Sequence, residues 1–139
     1  MGQLDCLELG NLDAKRDWGH AADYVEGMHR MLNHDKPDDY VLASGVSHSV
    51  RDFVNISYDE LGIKIAWEGS CVDEKAINMA TNTTILKVNP KFYRSEEVDV
   101  LQGDSSKAQN ILKWKLKTSF NELVGMIIKS NFDIIYFSQ

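Results

Sequence analysis

Short apolar runs of three to five residues alternate along this chain with segments whose apolar positions recur every three or four residues, and few architectures accommodate that alternation. From Ala21 to Leu32, Tyr24, Val25, Met28, Met31 and Leu32 fall on one face of an amphipathic helix. A second helix is expected after Ser47-His48-Ser49, a candidate N-cap region, with Val50, Phe53, Val54 and Leu61 on it and Gly62 as its stop. Asp104-Ser105 caps a third that reaches about Leu112. Ser119-Phe120-Asn121-Glu122 fits the S-x-x-E box that opens a last helix carrying Leu123, Val124, Ile127 and Ile128. Between them, Leu7–Leu9, Tyr40–Ala43, Ile63–Trp67 and Ile85–Val88 read as short strands, Tyr40–Ala43 as a buried one. Glu68 to Thr84 shows no period and is expected to be a long loop. Phe132 to Phe137 is apolar and is expected to form an edge strand or a free tail. The class is α/β, although so few short strands make a poor sheet on their own.

Bulk properties narrow the function. The 139 residues are 43% hydrophobic and 26% charged, the profile of one globular domain. A net charge of -6 argues against a general nucleic-acid or anionic-membrane binder, which needs an electropositive footprint. It does not oppose a few converging arginines on one small polyanion. No signal peptide or membrane-length apolar run is evident, so a soluble cytoplasmic chain is expected. Cys6 and Cys71 form no CxxC, and His20, His29, His34 and His48 lack metal-ligand spacing, so no metal site is expected.

No two glycines stand at G-x-G or G-x-x-G spacing, and no tyrosine is followed four residues later by lysine. A dinucleotide fingerprint and a P-loop are therefore both lacking. Two charged clusters are left. One is the loop Gly10-Asn11-Leu12-Asp13-Ala14-Lys15-Arg16-Asp17-Trp18-Gly19-His20, with its adjacent cations. The other runs from Asn89 to Asp99 and holds Arg94 and Glu97, three apart and so on one side of a helical turn. An arginine there can fork onto phosphate oxygens while a carboxylate accepts ribose hydroxyls. On spacing alone the plainer reading is an exposed ion pair worth well under about 1 kcal/mol. Trp18, Phe92 and Tyr93 are read as core or loop anchors rather than stacking platforms.

The segment GNLDAKRDWGHAADYVEGM closely resembles GDP-mannose 4,6-dehydratases of the extended short-chain dehydrogenase/reductase family. The similarity continues through KPDDYVLASGVSHSVRDF, WEGSCVDEK, VNPKFYRSEEVDVLQGDSSKA and WKLKTSFNELV, up to about Lys129. The resemblance implies that residues 1–139 are the C-terminal, nucleotide-sugar-binding portion of such an enzyme, without its N-terminal Rossmann half. In the family that half binds NADP and carries the catalytic residues. The family's enzymes oxidise C4 of GDP-mannose, eliminate water across C5 and C6, and return the hydride to C6. Carried onto this chain, the pattern makes Arg16 and Arg94 contacts of the diphosphate and Glu97 the carboxylate for the ribose hydroxyls. It assigns no catalytic residue, no cofactor contact and no metal here. Ser49 is expected to cap its helix and Arg51 to be structural.

Three departures stand out. Ser95 replaces a proline usual after the arginine, Leu116 replaces the proline of WKPK, and the tail NFDIIYFSQ is unlike the family. Ser95 frees the backbone that aims Glu97, since proline would fix its φ. The isolated chain is expected to be catalytically inactive. Leu7–Leu9 and the helix from Ala21 are expected to leave apolar faces uncovered, which implies a homo-oligomer or association with a full-length dehydratase. A non-enzymatic binding or interaction fragment, and a piece of another nucleotide-sugar epimerase, are the alternative readings.

Overall fold

Ser49 accepts the backbone N–H of Asp52 at 3.0 Å and returns its own N–H to the Asp52 carboxylate at 2.9 Å, a complete capping box at the head of a helix. Ser119 and Glu122 repeat the arrangement at the head of the last one, with Ser119 N–H on Glu122 at 2.8 Å. The computed structural model describes residues 6–94 and 102–137. In chain order the elements are β1 (Leu7–Leu9), β2 (Lys15–Asp17), α1 (Ala21–Leu32), β3 (Ser47–Ser49), α2 (Val50–Glu60), β4 (Ile65–Glu68), β5 (Lys75–Asn78), β6 (Thr83–Val88), α3 (Ser106–Ile111) and α4 (Phe120–Phe137). The class is α/β, and β2 and β3 form a small two-stranded sheet of their own.

The chain divides into two compact units. The first takes residues up to Ala14 and those from Ser49 to Asp99. Its four-stranded sheet has the order β1-β6-β5-β4. β1 runs parallel to β6, with Leu7 opposite Leu86 and Leu9 opposite Val88, while the β4–β5 and β5–β6 pairs are antiparallel. α2 contributes Val54 to a core with Leu12, Ala76, Leu86 and Val88. Gly62 stands just past α2 at φ 68°, the left-handed turn that glycine allows at a helix end. The first N–H groups of α2 have no partner inside the helix, and the opening loop supplies two: Val50 N–H donates to Ala14 O and Arg51 N–H to Leu12 O.

The second unit takes Lys15 to His48 and the residues from Val100 onward. Trp114, almost fully buried, is its anchor. The indole N–H donates to the Asp23 carbonyl at 2.7 Å, and its ring stacks on Tyr24. Gly27 of α1 leaves a notch that the Leu42 side chain fills: a Cβ there would sit 2.5 Å from a Leu42 methyl and 3.1 Å from the Trp114 nitrogen. Arg30 closes the end of α3 by donating to the carbonyls of Leu112 and Lys113 at 2.9 and 2.7 Å. Ser105 stands at the N-cap of α3 but its side chain makes no capping bond; Asp104, one residue earlier, accepts the Ser106 N–H at 2.9 Å.

Four expectations need correction. Tyr40–Ala43 is not a strand, and Val41 is exposed; an apolar run becomes a strand only with a ladder partner. Glu68–Thr84 is not a loop: it holds a 3-10 turn at Cys71–Asp73, all of β5 and the start of β6. Phe132–Phe137 is neither strand nor free tail, for α4 runs through it to Phe137. Phe92 is exposed rather than an anchor, whereas Tyr93 does pack against the first unit's core.

Candidate functional site

Arg16 lies in the middle of β2, half-buried, and its guanidinium donates to the Lys15 carbonyl at 2.7 Å. What fixes the loop around it is the neighbouring Asp17. Its two carboxylate oxygens receive the backbone N–H groups of Ser44 and Gly45 at 2.8 and 2.9 Å. Burial pushes this carboxyl upward, but the hydrogen bonds from Ser44, Gly45 and Gly103 outweigh it and hold the group below its ordinary value. Trp18 donates its indole N–H to the His48 carbonyl at 3.2 Å, so it anchors the loop as expected. The His48 ring lies flat on Phe120 with centroids 3.9 Å apart, and Trp18 approaches the same ring at 6.2 Å. These three side chains with Val46 and Leu116 line a surface depression of about 410 Å³ within the second unit.

Arg94 belongs to the first unit, exposed, just beyond the turn that ends β6. Asn89 organises that turn. Its carbonyl accepts the N–H groups of Phe92 and Tyr93, its side chain accepts that of Lys91, and its amide donates to Glu8 at 2.6 Å. Gly10 comes so close that a Cβ would lie 2.3 Å from the Phe92 carbonyl oxygen. Glu97 lies outside the described residues. The structure thus gives Arg16 and Arg94 their local settings, each in its own unit.

Arg51 is structural, as its sequence context implies. Its guanidinium grips Glu74 through two bonds of 2.5 and 2.9 Å and Asp13 through two of 2.9 and 3.1 Å, and it lies 4.8 Å over the Trp67 ring. The Glu74 bonds are the main reason its proton is held even more firmly than an ordinary arginine's. With the two backbone bonds to α2, this grip ties down Leu12–Ala14, the residues that lead into Lys15 and Arg16.

Two carboxylates escaped the sequence reading. Asp17 had been seen only as loop charge. Asp23, buried in the first turn of α1, accepts the N–H groups of Lys117 and Thr118 at 3.2 and 3.0 Å. Its one local sign is an acid in the first turn of a helix, and its partners lie more than ninety residues away.

The described residues do not fit a dinucleotide cofactor. Parallel β1 leads through Gly10 into β2 rather than into a helix, and no glycine-rich turn joins a strand to a helix N-terminus. Among the described residues, no three His, Cys, Asp or Glu side chains gather as a metal site, and no helix is long and apolar enough to cross a membrane.

Comparison with known proteins supplies the rest. Residues 1–127 match the sequence profile of the family described as GDP-mannose 4,6 dehydratase. The chain is 47% identical over 133 residues to the GDP-mannose 4,6 dehydratase of Drosophila melanogaster, covering 96% of this chain and 34% of that protein. It is 49% identical over 135 residues to that of Cricetulus griseus, covering 97% and 36%. The chain therefore spans about a third of these relatives' length. Among solved structures, RMD from Pseudomonas aeruginosa complexed with NADPH superposes with a TM-score of 0.67 at 18% identity, covering 91% of this chain and 36% of that one. UDP-glucose 4-epimerase from Bifidobacterium longum in complex with NAD+ and UDP gives 0.68 at 17% identity, covering 95% and 36%. These likenesses speak for the fold alone. With the profile spanning most of its length and near-half identity to named relatives, the chain belongs to the GDP-mannose 4,6-dehydratase family.

Proposed function

We propose that this chain supplies the GDP-sugar-binding part of a GDP-mannose 4,6-dehydratase, with Arg16 and Arg94 holding the diphosphate and Glu97 accepting the ribose hydroxyls. The observation that carries the reading is the near-half identity to dehydratases over almost the whole chain, across the very segments that hold these three residues. The chemistry agrees. A guanidinium presents a planar fork to phosphate oxygens, and two of them can neutralise a diphosphate on a protein of net charge -6. Arg16 is presented by a strand whose next residue, Asp17, is fixed by two backbone N–H groups. Arg94 follows a turn closed by Asn89. Each arginine thus adjoins hydrogen-bonded backbone, which limits the ordering cost of binding.

The conversion of GDP-mannose to its 4-keto-6-deoxy derivative requires NADP and proton-transfer groups that we place in the portion of the relatives beyond this match. The isolated chain is then inactive, and we place it in the cytoplasm. The epimerase alternative is the weaker reading, since those likenesses lie at 14–20% identity and concern the fold alone. Calorimetric titration of GDP and UDP into the 139-residue chain tests the proposal. Saturable GDP binding with weaker UDP binding supports it. Equal or stronger UDP binding points to another nucleotide sugar, and NADP-dependent turnover of GDP-mannose by the purified chain overturns its inactivity.

A further inference from the structure

β4 is the last strand of the first unit's sheet, and among the described residues no strand pairs with its outer side. The Lys64 carbonyl accepts the Met79 N–H at 2.9 Å, so Lys64, Ala66 and Glu68 turn their backbone groups toward β5. In an antiparallel ladder the alternate residues turn theirs away. The outward N–H and C=O groups of β4 are therefore those of Ile65 and Trp67. This open edge has a stop at each end. The Ile63 N–H is already taken by the Tyr58 carbonyl, and Gly69 leaves the strand at φ 82°.

The residues along this edge are their own complement. Ile65 and Trp67 pack on the core, and by alternation Lys64, Ala66 and Glu68 lie on the other face. An antiparallel copy of the strand can meet the outward groups in three registers. One sets Ile65 against Ile65, and it then needs the Ile63 N–H that Tyr58 holds. Another sets Trp67 against Trp67, and it then needs Gly69, which has turned away. The third sets Ile65 against Trp67 in both directions, so all the outward groups are paired, and Ala66 faces Ala66. Only this register puts Lys64 opposite Glu68, and it does so twice. Opposite charges and an aromatic beside a β-branched residue are the cross-strand pairs that favour a ladder.

We propose that the outer edge of β4 pairs with β4 of a second copy of this chain about a two-fold axis at Ala66, joining the two four-stranded sheets into one. A strand of unrelated sequence would meet Lys64 and Glu68 as unanswered charges, the usual guard of a sheet edge, whereas a second copy answers both. Glu68 already has Lys75 of its own chain at 3.3 Å and would then stand between two lysines. Beside the start of β4 lies a surface depression of about 430 Å³ lined by Ile56, Ile63, Ile65 and Met79. Trp67 of the second copy, opposite Ile65 and on the same face, would adjoin it. The paired edge is short, so the dimer is a weak one. The inference rests on backbone geometry and charge, not on nucleotide binding.

The test is sedimentation of the 139-residue chain with charge reversals, beside cysteine crosslinking. Dimer should accumulate as the concentration rises to about 500 μM. Lys64→Glu and Glu68→Lys, each with native circular dichroism, should each dimerise at least about 10-fold more weakly, because each sets like charges opposite one another. Their equimolar mixture should regain the dimer, since one edge then carries two acids and the other two cations. In a Cys6→Ser, Cys71→Ser background, Ala66→Cys should crosslink on mild oxidation, for facing residues of such a pair stand about 4.5 Å apart at Cα, within disulfide reach. Ile77→Cys, opposite Ala66 but one strand further in, should not. A monomer at every concentration overturns the proposal. So does equal crosslinking at 66 and 77, or a dimer that the reversals leave unchanged and the mixture does not restore. Should a charge variant misfold, the two cysteine variants still decide. No readout involves nucleotide, so this inference and the GDP-binding proposal fail separately.

Discussion

Arg51 and Glu74 meet through two hydrogen bonds, 2.5 and 2.9 Å long, with the carboxylate nearly buried and the guanidinium about one quarter exposed. Such a pair contributes little over an apolar substitute, but removing one half strands the other. Arg51→Met leaves the Glu74 charge without its partner and also releases Asp13. It should lower unfolding stability by about 2–3 kcal/mol, below the fully buried case because water reaches the arginine. A urea titration checks this, and a loss under about 0.5 kcal/mol would show that the grip is loose in solution.

Asp17 makes stability depend on acidity. Its carboxyl is held below the ordinary 3.8 by the backbone and side-chain bonds it receives. The folded state therefore binds that proton less readily than the unfolded chain. The stabilisation is fully present above the unfolded value and is lost as pH falls through the lower folded one. Asp17→Asn should destabilise the protein at pH 7 and remove part of the acid limb of a stability-against-pH curve. Parallel acid limbs for the two proteins would mean that Asp17 is not the group responsible.

Gly10 and the Phe92 carbonyl approach too closely for any side chain. Because the obstacle is backbone, it cannot rotate away. Gly10→Ala should cost about 1–3 kcal/mol, the usual range for overpacking. It should also weaken GDP binding, since the displaced turn leads directly to Arg94. A melting temperature unchanged by the substitution would show that the turn adapts without strain.

What the sequence revealed depended on how local the cause was. Ser119 with Glu122 is visible because a capping box is written within four residues, and α1 was bounded correctly because its apolar period is continuous. β5 was invisible. Among Lys75–Asn78 only Ala76 is fully buried, and the segment is a strand because β4 and β6 lie on either side of it. Tyr40–Ala43 failed in the opposite sense, having strand composition without a strand partner among the described residues. Phe132–Phe137 looked extended because it is apolar and aromatic, yet it continues a helix nucleated at Ser119. In the candidate site, Arg16, Arg94 and Glu97 came from resemblance, since spacing alone could not separate a clamp from surface charge. Asp17 and Asp23 were missed because their partners are distant backbone N–H groups, which carry no sequence signature.

The central claim is that two arginines and a carboxylate on this chain hold the GDP moiety, and the most direct measurement is a GDP titration of the chain beside Arg16→Ala, Arg94→Ala and Glu97→Gln. Saturable binding below about 1 mM is expected for the unaltered chain. Each arginine substitution should weaken it by about 10-fold or more, equivalent to about 1.4 kcal/mol, with a smaller loss for Glu97→Gln. No binding at millimolar GDP, or equal affinity in the arginine variants with their folding intact, would contradict it.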